Sequence, residues 1–261
     1  MGPQDPLDHC VGSSTPGTHT IHPPCAPAGS AGASLGGVLR PYYADVLDDE
    51  AQEWIDEILA TLSLEAAVGQ LVFPWMSGGY ASEDDPEFVE ALEWVEQWRV
   101  GGLAISIGTP HSYAAKLNGL QLRADVPLLV TSDFENGGPG MRINHTYALP
   151  SLLPQGGGTS FPPTMGFGAI GDEAEVGELA RITGLEARAV GVHMTFAPVL
   201  DVNSNPENPI INTRSFGEDP SEVARLGRAY LRGARAGGLL TTAKHFPGHG
   251  DTGTDSHLIL P

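Results

Sequence analysis

Residues 238–257 read Gly238-Leu-Leu-Thr-Thr-Ala-Lys244-His-Phe-Pro-Gly-His-Gly-Asp-Thr-Gly-Thr-Asp-Ser-His257. The apolar half, 238–243, reads as a buried strand. Pro247, Gly248, Gly250 and Gly253 then exclude regular structure. Lys244 and His245 therefore sit at the carboxyl end of a strand. His249, Asp251, Asp255 and His257 ride on a mobile glycine-rich loop. A strand tip followed by such a loop is where parallel α/β folds place their chemistry.

Working outward, four more apolar runs alternate with amphipathic segments. Trp54, Ile55, Ile58, Leu59 and Leu62 recur at helical spacing, and Ser63 caps a short turn over Leu64–Val68. A strand over Gln70–Trp75 ends near Pro74. Asp85-Pro86 opens a helix with an N-cap and a first-turn proline. Its apolar face holds Phe88, Ala91, Leu92, Val95 and Trp98, with Trp94 and Trp98 as packing residues. Gly101–Ile107 and Val126–Asp133 read as strands two and three, with a helix over His111–Arg123 between them. A long Gly/Pro-rich insertion runs from Glu135 to about Gly171. Its Gly137–Arg142 stretch lacks the Lys-Ser/Thr and the glycine spacing of a phosphate loop.

Asp172 with Glu175, and Asp219-Pro220 with Glu222, read as capping boxes. Val176, Leu179, Ile182, Thr183 and Val190 continue the first of these helices. Val223, Leu226, Tyr230, Leu231 and Ala234 face inward on the second. Strand four, His193 to Asp201, lies between them, and His193 reads as a buried, hydrogen-bonded structural histidine. Five alternations of this kind mean parallel βαβ units and an α/β fold. Polar candidates fall at the ends of strands three, four and five: Asp133, Asp201 and Lys244 with His245. A TIM (β/α)8 barrel spreads its site over several strand ends in this way, whereas a doubly wound sheet gathers it at one switch point. The expected fold is thus such a barrel, truncated after about five units.

Composition narrows the partners. Thirty-two acidic residues against thirteen Lys and Arg give a formal charge of −19, which argues against nucleic acid. No apolar run reaches 18 residues, so no transmembrane helix and no membrane partner is expected. Residues 1–48 are rich in Gly, Pro, Ser and Ala without periodicity and read as a disordered low-complexity leader. They carry neither the charged nor the apolar region of a signal peptide, so a cytoplasmic location is expected. The domain proper is 49–261. The two cysteines, Cys10 and Cys25, lie in the leader, so no disulfide framework holds the core.

Asp255-Ser256-His257 is the sharpest chemical signal. In an extended segment, positions two apart face the same way. The carboxylate then reaches one imidazole nitrogen, fixes the tautomer and favours the imidazolium. The other nitrogen is left to give or take a proton. The same loop offers a metal alternative, because His245, His249, Asp251, Asp255 and His257 are five nitrogen or carboxylate donors. Lys244 would place a positive charge beside the ion, so no metal and no cofactor is expected.

Lys244-His-Phe-Pro-Gly-His-Gly-Asp-Thr252 followed by Asp255-Ser-His257 resembles glycoside hydrolase family 3. So does the second block, Asp201-Val-Asn-Ser-Asn-Pro-Glu-Asn-Pro-Ile-Ile-Asn-Thr-Arg214-Ser-Phe-Gly-Glu-Asp-Pro220. The nearer branch is the β-N-acetylhexosaminidases, and the similarity runs from about Asp49 to Pro261. The resemblance implies a barrel and a retaining hydrolase acting on terminal β-linked N-acetylglucosamine. Asp255 and His257 would be its acid/base dyad. Asp133, Arg142, Arg214, Lys244 and His245 would hold sugar hydroxyls, although Phe134-Glu135-Asn136 departs from the family pattern. The family's nucleophilic Asp falls on a later strand, beyond Pro261. Asp201 would be structural or substrate-orienting. The implied partner is an N-acetylglucosamine-containing glycan, peptidoglycan being one source, and the oligomeric state is left open. Within the family a β-N-acetylglucosaminide phosphorylase or a β-glucosidase is the alternative. Outside it stand a non-catalytic sugar-binding fragment and a metal-dependent hydrolase.

Overall fold

Most helix starts in the sequence have a short polar residue poised to accept an orphan backbone N–H, and the computed structural model forms these caps. The structure describes residues 47–144, 146–148 and 153–260. Almost all of the leader, with Cys10 and Cys25, lies outside the described residues. Residues up to Ala60 and residues from Thr61 onward are separate units. In the first, α1 (Asp49–Thr61) is an amphipathic helix in which no residue is buried.

In the second unit Ser63 caps α2 (Leu64–Gly69), accepting from the Ala66 amide. Asp85 caps α3 (Pro86–Glu96). Thr109 and Ser112 form a reciprocal box at α4 (Pro110–Gln121). Asp172 caps α6 (Glu173–Ala189) through Ala174, and Asp219 caps α7 (Pro220–Ala236) through Ser221 and Glu222. At these last two helices only the N-cap half of the expected box forms. The Glu222 carboxylate turns instead to Arg225, at 2.5 Å. The insertion is not structureless. It holds a 3-10 turn over Gly138–Met141, the antiparallel pair β4 (Thr146–Ala148) and β5 (Leu153–Gln155), and α5 (Thr164–Ile170).

The main sheet has five parallel strands, β1 (Trp75–Met76), β2 (Gly102–Ile105), β3 (Leu129–Ser132), β6 (Met194–Thr195) and β7 (Leu240–Thr241). They lie in that order, and β3 meets β6 with Thr131 opposite Met194. Parallel order puts all five carboxyl ends on one side. Central strands of such sheets are covered on both faces. Leu103, Ile105 and Val130 are accordingly almost fully buried, against Tyr113, Leu117 and Leu120 of α4. The edges differ. β1 begins after Pro74, not before it, because proline has no N–H for the ladder and only its carbonyl pairs, accepting from Ala104. Leu71 and Val72, expected inside the strand, are exposed. β7 is likewise not the buried strand its composition suggested, since Leu240 is 47% exposed. Trp98 and Leu231, read as inward-facing, also reach solvent. Among the described residues no helix is long and apolar enough to cross a membrane.

α6 and α7 cross closely where both carry glycine. A Cβ on Gly233 would lie 2.0 Å from the Gly177 carbonyl oxygen, so any larger residue would push the helices apart. The α6 side buries Val176, Leu179 and Ala180, and the α7 side Val223, Leu226 and Tyr230. Tyr230 of this helical layer donates its hydroxyl to the Phe134 carbonyl, next to Asp133, at 3.2 Å.

His193 is hydrogen-bonded as the sequence suggested, but it is half-buried rather than buried. Its Nδ1 accepts from the Val130 amide at 3.0 Å, joining the approach to β6 to β3. Burial, with Arg188 nearby, pushes its pKa below the ordinary 6.5. The unfolded chain therefore takes up the proton first as pH falls, and this contribution is lost below about 6.5. Replacing His193 with Asn keeps an acceptor but removes the titration. The stability gap between wild type and His193→Asn should narrow between pH 7.5 and pH 5.5 in urea melts. A gap that stays constant across that range would show that His193 does not titrate on unfolding.

Candidate active site

Three segments at the carboxyl ends of the sheet build a pocket of about 420 Å³. β3 delivers Asp133, Glu135 and Asn136. The 3-10 turn that follows brings Arg142. The segment after β6 brings Ile210 and Arg214. β7 delivers Lys244 and His245, and the glycine loop adds His249, Ser256 and His257.

The charges in the pocket neutralise one another in a chain. Lys244 Nζ lies 3.1 Å from Asp133 and 2.5 Å from Glu135. Arg214 grips both oxygens of Glu135, Nε at 2.6 Å and Nη2 at 3.1 Å. Such a bidentate fork fixes the guanidinium plane. Arg142 Nη2 reaches Asp133 at 3.4 Å. The Glu135 side chain is only 5% exposed. Burial alone would raise its carboxyl, but Arg214 and Lys244 outweigh that and hold it below the usual carboxylate range.

Asp201 is not part of this chain. Its side chain is fully buried and does not line the pocket. One oxygen accepts from the His245 backbone N–H at 3.1 Å and from the His245 ring at 2.5 Å. The other accepts from the His249 N–H at 2.7 Å. Burial opposes its ionisation, yet the His245 ring and the His249 and His245 amides hold its pKa down. Asp201 thus anchors the strand tip and lies outside the pocket lining. Because it takes Nδ1–H of His245, the other ring nitrogen is left as an acceptor. That nitrogen faces an Arg214 donor at 3.4 Å.

The Asp255–His257 pair forms, with Nδ1 2.7 Å from Oδ1. The route differs from an extended strand. The same Asp255 oxygen accepts the His257 backbone N–H at 2.9 Å, and the Asp255 carbonyl accepts from Leu258 and Ile259. This is a side-chain-closed turn, which a short carboxylate favours over extended backbone. The two His257 bonds, the backbone one first, lower the Asp255 pKa. The His257 ring is 73% exposed, at the pocket rim.

The expectation of a loop mobile throughout does not fit its first half. Asn208 Nδ2 donates to the His249 carbonyl at 2.6 Å, and Asn205 donates to the Thr252 carbonyl at 3.1 Å. Gly250 lies so close to the 201–208 segment that a Cβ there would meet the Val202 oxygen at 1.7 Å. Residues 249–252 are thus clamped, and 253–257 project from the clamp. Among the described residues no group of three or more His, Cys, Asp or Glu side chains is placed to share a metal ion.

All seven site residues named from the sequence fall in or beside this one pocket. Sequence reasoning missed Glu135, Asn205 and Asn208. Glu135 offered one signal, an acid two residues past a strand end and just before glycines. The two Asn residues offered none beyond their place in the second block.

A family model, the Glycosyl hydrolase family 3 N terminal domain, matches residues 63–261. A beta-N-acetylglucosaminidase/beta-glucosidase of Cellulomonas fimi is 35% identical over 213 residues, 82% of this chain and 34% of that protein. A glycoside hydrolase family 3 beta-N-acetylglucosaminidase from Paenibacillus sp. str. FPU-7 superposes with TM-score 0.65 at 40% identity, over 76% of this chain and 35% of that one. A beta-glucoside phosphorylase, BglX, superposes with TM-score 0.69 at 31% identity, over 81% and 35%. The chain spans about a third of the length of the curated relatives it matches.

Proposed function

The chain belongs to glycoside hydrolase family 3, and on that premise we propose that its pocket takes a terminal β-linked N-acetylglucosamine and serves its retaining hydrolysis. The observation that carries this reading is the Asp255–His257 pair at 2.7 Å on the rim of a pocket lined by paired cations and carboxylates. The names of the glycosidase relatives support the substrate class. The five parallel strands are read as part of a (β/α)8 barrel, whose sites gather at this end.

His257, held by Asp255, protonates the leaving oxygen as the glycosidic bond breaks and a carboxylate nucleophile bonds the anomeric carbon, then takes a proton from the water that displaces this carboxylate in the second half. Asp133 and Arg142, with Arg214, Lys244 and His245, offer acceptors and donors to sugar hydroxyls. Buried groups of this kind reject an analogue that leaves them unpaired. A phosphorylase is the second reading. Arg142, Arg214 and Lys244 face the pocket together, and cations beside an imidazolium suit an anionic acceptor. Product analysis in phosphate buffer separates the two, since glycosyl phosphate forms only in a phosphorylase.

A retaining reaction also needs a carboxylate nucleophile about 5 Å from the acid/base carboxyl in the usual pair. The two carboxylates that line the pocket, Asp133 and Glu135, are both ion-paired, and Asp201 lies outside the lining. The 261-residue chain assayed alone is therefore expected to bind N-acetylglucosamine in calorimetry, with Asp133→Ala abolishing the heat, and to form no glycosyl-enzyme. Intact-mass spectrometry after incubation with an activated fluorosugar checks the second point. A stoichiometric adduct would assign the nucleophile to an acid in this chain, with Asp201 the first to test. Absence of any sugar binding would count against the pocket itself.

A further inference from the structure

We propose that His249 is a positioning residue that holds the dyad over the pocket by accepting a hydrogen bond from Ser256, an inference that rests on reading Asp255 and His257 as the acid/base pair. His249 and Ser256 are joined at 2.9 Å between Nε2 and Oγ. Ser256 is the residue between Asp255 and His257, so fixing it fixes both.

The bonding pattern sets the direction of this contact. The His249 carbonyl can only accept, and Thr252 Oγ1 lies 3.1 Å from it, so the single Thr252 hydroxyl proton is spent there. Thr252 Oγ1 then receives Nδ1–H of His249, at 2.5 Å. Asn208 Nδ2 donates to the same oxygen at 3.4 Å. His249 is left with its proton on Nδ1 and a lone pair on Nε2, and the Ser256 hydroxyl donates to that lone pair. The chain of contacts runs without a break from buried Asp201, through the His249 backbone N–H and ring, to Ser256. It crosses Gly253, which has no side chain to restrain it.

The rest of the dyad turn is held to itself. Leu258 and Ile259 donate to the Asp255 carbonyl, and His257 to the Asp255 carboxylate. The clamp made by Asn205 and Asn208 stops at Thr252. The His249–Ser256 bond is thus the described side-chain link between the clamped half of the loop and the half that carries the acid/base pair. A loop free to turn about Gly253 would bring His257 to its position only part of the time.

The test uses the 261-residue chain. In wild type, ¹⁵N-edited spectra of the His249 ring should show a protonated Nδ1 and an unprotonated Nε2. Ser256→Ala removes the link without touching His249 or the clamp. Loss of one net hydrogen bond should raise amide exchange across 255–259 by roughly three- to tenfold, with 249–252 and the β3 amides unchanged. His249→Ala should raise the same amides, and the double variant should do no more than either single one. His249→Gln, whose amide oxygen accepts near the position of Nε2, should restore slow exchange. A purely structural role for His249 would raise exchange throughout the domain and would not be rescued. A protonated Nε2, or unchanged exchange at 255–259 in Ser256→Ala, overturns the proposal. These readouts need no turnover, so they stand apart from the dyad reading, which fails only if His257 proves dispensable for catalysis.

Discussion

Glu135→Ala is expected to cost about 3 kcal/mol of unfolding free energy, the low end of what removing one partner from a buried ion pair costs. The alanine leaves Arg214 and Lys244, whose side chains are 20% and 16% exposed, facing each other without the carboxylate between them. Lys244 keeps Asp133, which limits the loss. Among the described residues Arg214 keeps the Ile210 carbonyl and the His245 ring. The magnitude also depends on pH. The folded pKa of Glu135 lies below the ordinary 4.5. The unfolded state therefore binds the proton first as pH falls, and the contribution is complete above about 4.5 and lost as pH drops through the folded value. Urea melts of wild type and variant should differ by a constant amount from pH 7 to about 5.5 and converge as the pH falls below about 4.5. A loss under about 1 kcal/mol at pH 7 would mean that water solvates the two cations adequately, and that Glu135 is a rim group.

That Glu135 had to be found in the structure says where sequence reading stops. Strand and helix alternation was legible because period 3.6 and short apolar runs are local signals. Caps at Ser63, Asp85 and Asp219 were legible because they rest on one side chain and the next turn. The site residues at 133, 142, 214, 244, 245, 255 and 257 came from strand ends and a family resemblance, and the structure gathers them around one pocket. A buried acid that unites cations 79 and 109 positions away has no local signature. Edge behaviour was equally opaque. The runs ending at Trp75 and Ala243 look like their central counterparts in composition, but among the described strands they have a neighbour on one side only. The Asp255 turn shows a third limit. Asp-x-His fits both an extended strand and a side-chain-closed turn, and only the backbone bond to His257 decides between them.

In any form of the protein that turns over aryl β-N-acetylglucosaminides, His257→Ala is expected to slow substrates with poor leaving groups by about 10²- to 10⁴-fold. Substrates whose phenol departs as an anion need no proton and should lose less than about tenfold, within the scatter of general-acid effects. The geometry gives the reason. His257 meets Asp255 through Nδ1, and Nε2 is the nitrogen left to reach the leaving oxygen. Ionised Asp255, held in that state first by the His257 amide and then by its ring, fixes the orientation of the ring that must donate. Asp255→Asn keeps the turn but withdraws the charge, so it should fall between wild type and His257→Ala on poor leaving groups. The contrast between substrates matters more than the absolute loss. A structural defect from either substitution would slow both classes alike. Equal losses on both classes, measured where breaking the glycosidic bond limits the rate, would remove His257 from the acid role. The acid would then have to come from another group at the rim, and His249, whose ring also lines the pocket, would be the first to test.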